Sequence, residues 1–150
     1  MNTHSSKELK RYNYLVGEIE AAYHEMNLKL EISDSALIIL YAICDQGDSC
    51  LLRDVCHQFG VSKQTINSAL RKLETEGMVY LEAADAKNKR ICLTEQGKCL
   101  ADRTARRIIE MENDIFSSWT EEEVENYLEL TERYLRDLKE RIGKMESEIR

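Results

Sequence analysis

Residues 51–97 change from a helical spacing of apolar residues to an alternating one, and this change constrains the fold more than any other part of the sequence. Apolar positions three or four residues apart predict two short helices separated by Gly60. Their inner faces are Leu52, Val55, Cys56 and Phe59, and then Ile66, Ala69, Leu70 and Leu73. Gly77 ends the second helix, and alternating residues around 79–81 and 91–93 predict a strand pair with a polar tip.

A helix, a tight turn, a second helix and a hairpin, in this order, predict a winged helix-turn-helix. In such a module the second helix enters a DNA groove and the hairpin lies beside it. Gly60 suits the left-handed turn between the two helices, and Ser62 is a candidate N-cap of the second. The predicted fold class is therefore mainly α with a small β-hairpin wing.

Amphipathic helices are predicted on both sides of this segment. One spans about residues 7–30, and Ser33 is a candidate N-cap of the dense apolar helix that follows it. After the hairpin, Thr94 caps a helix that is predicted to continue without a break through Thr104 to Ile115.

The last predicted helix begins with a capping box at residues 120–123, in which Glu123 can bond back to the Thr120 amide. Its apolar residues, from Val124 to Met145, alternate spacings of three and four, which is heptad-like. Because a small domain cannot bury so long a stripe, we expect a second subunit. We interpret residues 1–150 as a single domain, with a DNA-binding region at 33–97 and dimerisation helices at 7–30 and 98–147.

The net charge of −7 argues against DNA binding only if it is taken as one number. Residues 51–100 carry eight Lys or Arg against six Asp or Glu, whereas residues 1–50 carry four against eight and residues 101–150 nine against fourteen. An electrostatic footprint for DNA is local. The net negative charge of the chain therefore comes from residues outside the predicted DNA-reading module.

The outer face of the second helix has the side chains that pair with bases and phosphates. No Asp or Glu occurs from Gln58 through Lys72, which distinguishes this face from an ordinary solvated helix surface, the alternative interpretation. The candidate DNA-binding residues of this helix are Ser62, Lys63, Gln64, Thr65, Asn67, Ser68 and Arg71.

The hairpin tip adds three cations within four residues, which suit contact with the DNA backbone or minor groove. A charged solvated turn is common, so the tip is informative only through its position beside the reading helix. The candidate DNA-binding residues of this wing are Asp85, Lys87, Asn88, Lys89 and Arg90.

The segment 85–97, DAKNKRICLTEQG, resembles the wing signature of the MarR family, D-x-R-x-x-x-(I/V)-x-L-T-x-x-G. Val61-Ser62 opens the second helix, Leu73-Glu74-x-x-Gly77 closes it, and terminal helices flank the module, so that the resemblance covers nearly the whole chain. It implies a homodimeric transcriptional regulator, usually a repressor, that binds pseudo-palindromic operators in double-stranded DNA. It also implies that the terminal helices form the dimer, and that a small, often aromatic anionic molecule or an oxidative signal releases the DNA.

Two features of the wing bear on that resemblance. Lys87 stands where the family has arginine, which keeps the charge but loses the planar bidentate fork. Minor-groove contact then weakens or moves to Lys89 or Arg90. The resemblance further implies that Asp85 orients a wing cation through a salt bridge.

Other classes of function find little support. The sequence offers no nucleophile–base pair, glycine-rich phosphate loop or metal-spaced His/Cys cluster, so we expect no enzyme, no cofactor and no metal. No apolar run suits a membrane span or an export signal, and we expect a cytoplasmic protein. The five cysteines are expected to be reduced thiols. The alternative to a DNA-binding regulator is a winged-helix module that binds protein.

Overall fold

A computed structural model describes residues 3–149. The elements in chain order are α1 (Lys7–Lys29), α2 (Asp34–Gln46), β1 (Ser49–Leu51), α3 (Leu52–Phe59), α4 (Lys63–Thr75), β2 (Val79–Ala83), β3 (Lys89–Leu93), α5 (Glu95–Arg103), α6 (Ala105–Ser117) and α7 (Glu121–Ile149). The chain divides into two compact units, Met1–Ile109 and Glu110–Arg150. Among the described residues, no helix is both long and apolar enough to cross a membrane.

Most of these helices start at a capping side chain that the sequence predicts. The hydroxyls of Ser33, Ser62 and Thr94 each accept a hydrogen bond from the amide three residues later, at 3.2, 3.2 and 3.0 Å. In the predicted capping box, the Thr120 amide donates to Glu123 Oε1 at 2.9 Å, and the Glu123 amide donates to Thr120 Oγ1 at 3.1 Å. These bonds satisfy amides that a helix leaves unpaired in its first turn.

The core of the first unit lies around α2, where Ile39, Leu40, Ala42 and Ile43 are fully buried. Residues from α3, α4, the sheet, α5 and the start of α6 complete one apolar cluster with it, among them Val55, Ile66, Leu70, Leu73, Ile91 and Ile108. Each fully buried Ile or Leu contributes about 1.5–3 kcal/mol. The predicted inner stripe of α4 is therefore confirmed as the side that holds this helix to the core.

The sheet has three antiparallel strands in the order β1-β3-β2. The hairpin of β2 and β3 is the predicted wing, while β1 was not predicted because three residues are too few to show an alternating pattern. In the central strand β3, Arg90 lies opposite Leu51 on one side and Glu82 on the other. The base of the wing is thus paired on both edges.

The helix predicted to run unbroken from Thr94 to Ile115 is in fact two helices, and that prediction is wrong. At Thr104 the backbone leaves the helical region, with φ −123° and ψ −90°. The Thr104 side chain is buried, and its Oγ1 donates to the Leu100 carbonyl at 2.7 Å. Such back-bonding competes with the regular helical ladder. Because the helical spacing of apolar residues continues across the break, the sequence gives no sign that the helix ends at Thr104.

The wing motif ends in Gly97, on the first turn of α5, where the chain passes close to the end of α4. A Cβ atom on this glycine would overlap the carbonyl of Met78. The Met78 carbonyl also accepts from the Thr94 amide at 3.1 Å and from Thr94 Oγ1 at 3.1 Å. Gly97 thus permits the close contact that joins α5 to the start of β2.

Candidate nucleic-acid interface

The helix α4 presents its polar face to solvent. Ile66, Ala69, Leu70 and Leu73 are buried, while the predicted reading residues lie on the other sides of the helix. Of these, Asn67 is half-buried and the rest are exposed, namely Ser62, Lys63, Gln64, Thr65, Ser68 and Arg71. The structure therefore brings the predicted residues of this helix together on one accessible surface.

Two of these residues also shape the start of the helix. Ser62 Oγ lies 2.8 Å from Thr65 Oγ1 and accepts from the Thr65 amide at 3.2 Å. The first turn of α4 contains no acidic residue. A helix N-terminus with free amides and no nearby carboxylate attracts an anion such as a phosphate.

The tip of the wing is held by Asp85 in a way that differs from the salt bridge implied by the resemblance. Its Oδ1 accepts from the amides of Lys87 and Asn88 at 2.9 and 3.0 Å, and its Oδ2 accepts from Asn88 Nδ2 at 2.8 Å. Hydrogen bonds from the Asn88 side chain and the Lys87 amide, aided by the charge of Arg53, lower the pKa of Asp85 below its usual value. Within residues 3–149, Asp85 forms no ion pair with a wing cation. It acts instead as the cap of the tip turn.

The three wing cations have different environments. Lys87 and Lys89 are exposed, whereas Arg90 is half-buried. Nη1 of Arg90 donates to Oγ of Ser49 on β1 at 3.1 Å. Arg90 therefore lies at the base of the wing, and the two lysines are the cations that project from its tip region.

Arg53, on the first turn of α3, was not among the predicted residues. Its side chain is largely exposed, lies 3.9 Å from Asp54, and acts electrostatically on Asp85 of the wing. The nearness of the α3 start to the wing tip depends on the fold, and no local sequence signal distinguishes Arg53 from any surface arginine.

Most thiols of the first unit lie in surroundings that make them unreactive. Burial raises the pKa of Cys50 to about 12, and burial likewise raises the pKa values of Cys44 and Cys92. Such thiols stay protonated at neutral pH and react slowly with oxidants. Cys99 is exposed and Cys56 half-buried. Over the described part of the chain, no group of His, Cys, Asp or Glu is arranged to hold a metal ion.

Residues 30–91 match the family model described as MarR family. No curated protein sequence matches the chain significantly. Solved structures similar to this fold include NMB1585, a MarR family regulator from Neisseria meningitidis, with a TM-score of 0.74 at 18% identity over 97% of this chain and 100% of that one.

Two further structures are similar over most of their length. A MarR protein from Peptoclostridium difficile has a TM-score of 0.66 at 20% identity, over 97% of this chain and 95% of that one. The MepR–DNA complex from S. aureus has a TM-score of 0.65 at 22% identity, over 90% and 99%. Likeness at these identities establishes the fold. Residues 30–91 thus match the MarR family model, and the chain has the fold of the MarR family regulators described above.

Proposed function

We propose that the chain is a sequence-specific transcriptional repressor that binds a pseudo-palindromic operator as a homodimer. The observation that carries this proposal is the exposed face of α4, which is polar and basic and has no acidic residue between Gln58 and Lys72. A related fold, MepR from S. aureus, has been solved in complex with DNA. The chemistry of this face suits the major groove, where Arg, Lys, Gln and Asn read base edges.

In this proposal the residues of α4 and the wing have separate roles. Gln64, Asn67 and Arg71 read base edges, and Ser62, Lys63, Thr65 and Ser68 contact phosphates at the groove rim. Lys87 and Lys89 of the wing neutralise the backbone or enter the minor groove. Asp85 and Asn88 fix the tip, and Arg90 supports its base.

The homodimer is supported by apolar side chains that the chain leaves uncovered. On α1 these are Leu9, Tyr12, Leu15 and Ile19, and on the second half of α7 they are Leu135, Leu138, Ile142 and Met145, all more than 40% exposed. Exposed stripes of this length mark protein–protein contacts. We assign dimerisation to residues 7–30 and 98–147 and DNA reading to residues 33–97. A two-fold dimer then presents two copies of α4 to two half-sites one helical turn apart.

A small-molecule signal is part of the proposal, and the raised thiol pKa values make it a better candidate than oxidation of Cys44, Cys50 or Cys92. PcaV of Streptomyces coelicolor has been solved with its natural ligand, and 6-hydroxynicotinic acid regulates DNA binding by BpsR of Bordetella bronchiseptica. We propose a cytoplasmic, non-enzymatic regulator with the same kind of control.

The test is binding to DNA from the protein's own upstream region at several salt concentrations. We expect log Kd to rise linearly with log salt concentration, and the slope to fall by about one for each phosphate contact removed. Lys63→Ala should weaken binding to every sequence, while Arg71→Ala should also relax base preference. Lys29→Ala removes an exposed charge that pairs with Glu25 at the last turn of α1, beyond the apolar residues Leu9 to Ile19 that support the dimer, and serves as the control with unchanged affinity.

A second candidate, a winged-helix module that binds protein, is favoured only by the net charge of −7. The same titration separates the two. Absence of any DNA shift at low salt, with Lys63→Ala indistinguishable from the unaltered protein, contradicts the repressor and leaves the protein-binding module.

A further inference from the structure

Arg53 lies on the first turn of α3, beside the wing but outside it. Leu51, the residue before this helix, ends β1 and pairs with Arg90 of β3, so that α3 begins at the base of the wing. The Arg53 side chain is 65% exposed, and its Nε is 3.9 Å from Oδ1 of Asp54. An exposed ion pair of this length contributes little to stability, since water screens both charges. The guanidinium of Arg53 is therefore at the surface and available to an anion.

The charge of Arg53 also reaches the tip of the wing. Hydrogen bonds from the Asn88 side chain and the Lys87 amide are the main cause of the lowered pKa of Asp85. The charge of Arg53 lowers this pKa further. Within residues 3–149, the Asp85 carboxylate accepts two hydrogen bonds at Oδ1 and one at Oδ2. Because a carboxylate has about four acceptor positions, Oδ2 can accept another donor.

Arg53 is the one arginine of the DNA-reading module without a role assigned above. Residues 33–97 contain three arginines, at positions 53, 71 and 90. Arg71 lies on the exposed reading face of α4. Arg90 is half-buried and donates to Ser49 at the base of the wing. Arg53 is thus the exposed guanidinium of this module that lies beside the wing.

A guanidinium and an ammonium group bind phosphate differently. Arginine presents a planar fork that matches two phosphate oxygens, whereas lysine acts as a point charge. Lys87 stands where the wing signature has arginine, so the wing has no planar fork at this position. The guanidinium whose charge acts on Asp85 comes instead from α3.

We propose that Arg53 binds a DNA phosphate beside the wing and supplies, from α3, the guanidinium that Lys87 does not provide. This inference rests on the proposed DNA-binding function and adds a contact to it. A guanidinium has several N–H donors, enough to face Asp85 and a phosphate at once. Because a phosphate contact carries no base information, Arg53 contributes to the affinity for every duplex and leaves base preference to α4.

Fluorescence anisotropy tests the contact with two labelled duplexes, one from the protein's own upstream region and one of unrelated sequence. Arg53→Ala should weaken binding to both duplexes about three- to tenfold. The slope of log Kd against log salt concentration should fall by about one for each copy of Arg53 in the complex. Lys29→Ala, which removes an exposed cation that pairs with Glu25 at 3.3 Å, is the control with unchanged affinity.

The variant Arg53→Lys separates the charge of the side chain from its planar fork. It should keep the salt slope and lose part of the affinity, since the charge remains and the bidentate geometry is lost. Thermal unfolding of Arg53→Ala and Arg53→Lys should match that of the unaltered protein, because substitutions of exposed side chains change stability little. A change in DNA binding is then an effect of the contact and not of the fold.

The replacement of a wing arginine by Arg53 is tested by moving the guanidinium back to the wing. Lys87→Arg should change the affinity of the unaltered protein less than about twofold, but it should restore most of the affinity that Arg53→Ala loses. Such non-additivity is expected where two side chains serve the same contact. An equal gain from Lys87→Arg in both backgrounds would show that it adds a contact of its own, and would overturn the replacement.

The remaining outcomes separate this inference from the proposed function. If Lys63→Ala weakens DNA binding while Arg53→Ala changes neither the affinity nor the salt slope, the contact at Arg53 is wrong and the DNA-binding function stands. If Arg53→Ala weakens binding to the upstream duplex alone, Arg53 reads bases and the phosphate contact is wrong. If the unaltered protein binds neither duplex at low salt, the function and this inference are both wrong.

Discussion

Nη1 of Arg90 donates a hydrogen bond to Oγ of Ser49 at 3.1 Å, and this contact ties the central strand of the wing to the strand that precedes α3. The two residues are 41 positions apart in the chain. The contact places Arg90 in the framework of the wing, although its position in the sequence groups it with the cations of the tip.

Replacing Arg90 should therefore affect stability as well as binding. Arg90→Ala is expected to lower the free energy of unfolding by about 1 kcal/mol, the usual net contribution of a hydrogen bond in a protein. Lys87→Ala should change the free energy of unfolding by no more than about 0.5 kcal/mol. It should reduce the slope of log Kd against log salt concentration by about one, as expected for the loss of one phosphate contact. Denaturant unfolding and salt titrations of the two variants measure this difference. Equal stability for both variants would contradict the framework role of Arg90.

The contact at Gly97 gives a second prediction. Gly97→Ala places a Cβ atom into the Met78 carbonyl and should cost about 1–3 kcal/mol of stability. Gly143→Ala is the matched control, because a Cβ placed there meets nothing within 4 Å apart from the neighbouring backbone of its own helix, and alanine should stabilise α7 by up to about 1 kcal/mol. Thermal unfolding of both variants is the measurement. A neutral Gly97→Ala variant would show that α5 and the start of β2 can separate at little cost.

The wing tip should change at acidic pH. The pKa of Asp85 is lowered in the folded protein, so its capping bonds are fully present above the ordinary value of 3.8 and are lost as the pH falls through the lowered value. We expect the NMR amide signals of Lys87 and Asn88 to stay constant from neutral pH down to that region and to shift below it. Asp85→Asn should shift the same amides already at neutral pH. A shift of these amide signals at a pH above 3.8 would mean that Asp85 does not cap the turn.

The thiols should differ widely in reactivity. With a pKa of about 12 in place of the ordinary 9.0, Cys50 has about a thousandfold less thiolate at neutral pH than an ordinary thiol. We expect iodoacetamide to modify exposed Cys99 first and Cys50 last, as followed by peptide mass spectrometry under native conditions. In denaturant all five cysteines should react alike, which controls for local sequence. Rapid native labelling of Cys50 would show that the first unit opens around β1.

The break at Thr104 offers a last prediction. Thr104→Val keeps the shape of the side chain but removes the bond from Oγ1 to the Leu100 carbonyl. Because the residue is buried, we expect a loss of about 1 kcal/mol, measured by denaturant unfolding. Thr131→Val is the control, since Thr131 makes the same kind of bond, to the Tyr127 carbonyl, on the exposed surface of α7 and should change stability little. Equal losses for the two variants would argue against a special role of the buried bond.

The sequence predicted the features that depend on neighbouring residues. The caps at Ser62 and Thr94 and the inner face of α4 follow from side chains within one or two turns, and the structure confirms them. The wing signature likewise indicated a resemblance to the MarR family, and residues 30–91 match the model of that family.

The features that the sequence did not predict depend on contacts between residues that lie far apart in the chain. The strand β1 exists because Ser49–Leu51 pairs with β3, and three residues carry no periodic pattern of their own. The break at Thr104 interrupts a helix whose apolar spacing continues on both sides. The support of Arg90 by Ser49 and the influence of Arg53 on Asp85 join segments that only the fold brings together.

The central position of β3 has a consequence for how such a protein can diversify. Both edges of this strand are paired, at Ser49–Leu51 and at Val79–Ala83, so the base of the wing is held in register without help from the tip. The loop of residues 84–88 is closed by its own bonds, from the Ala84 amide to the Asn88 carbonyl and from Asn88 to Asp85. A longer or differently charged loop can therefore be grafted between the same two strands, which makes the tip an exchangeable module on a fixed scaffold.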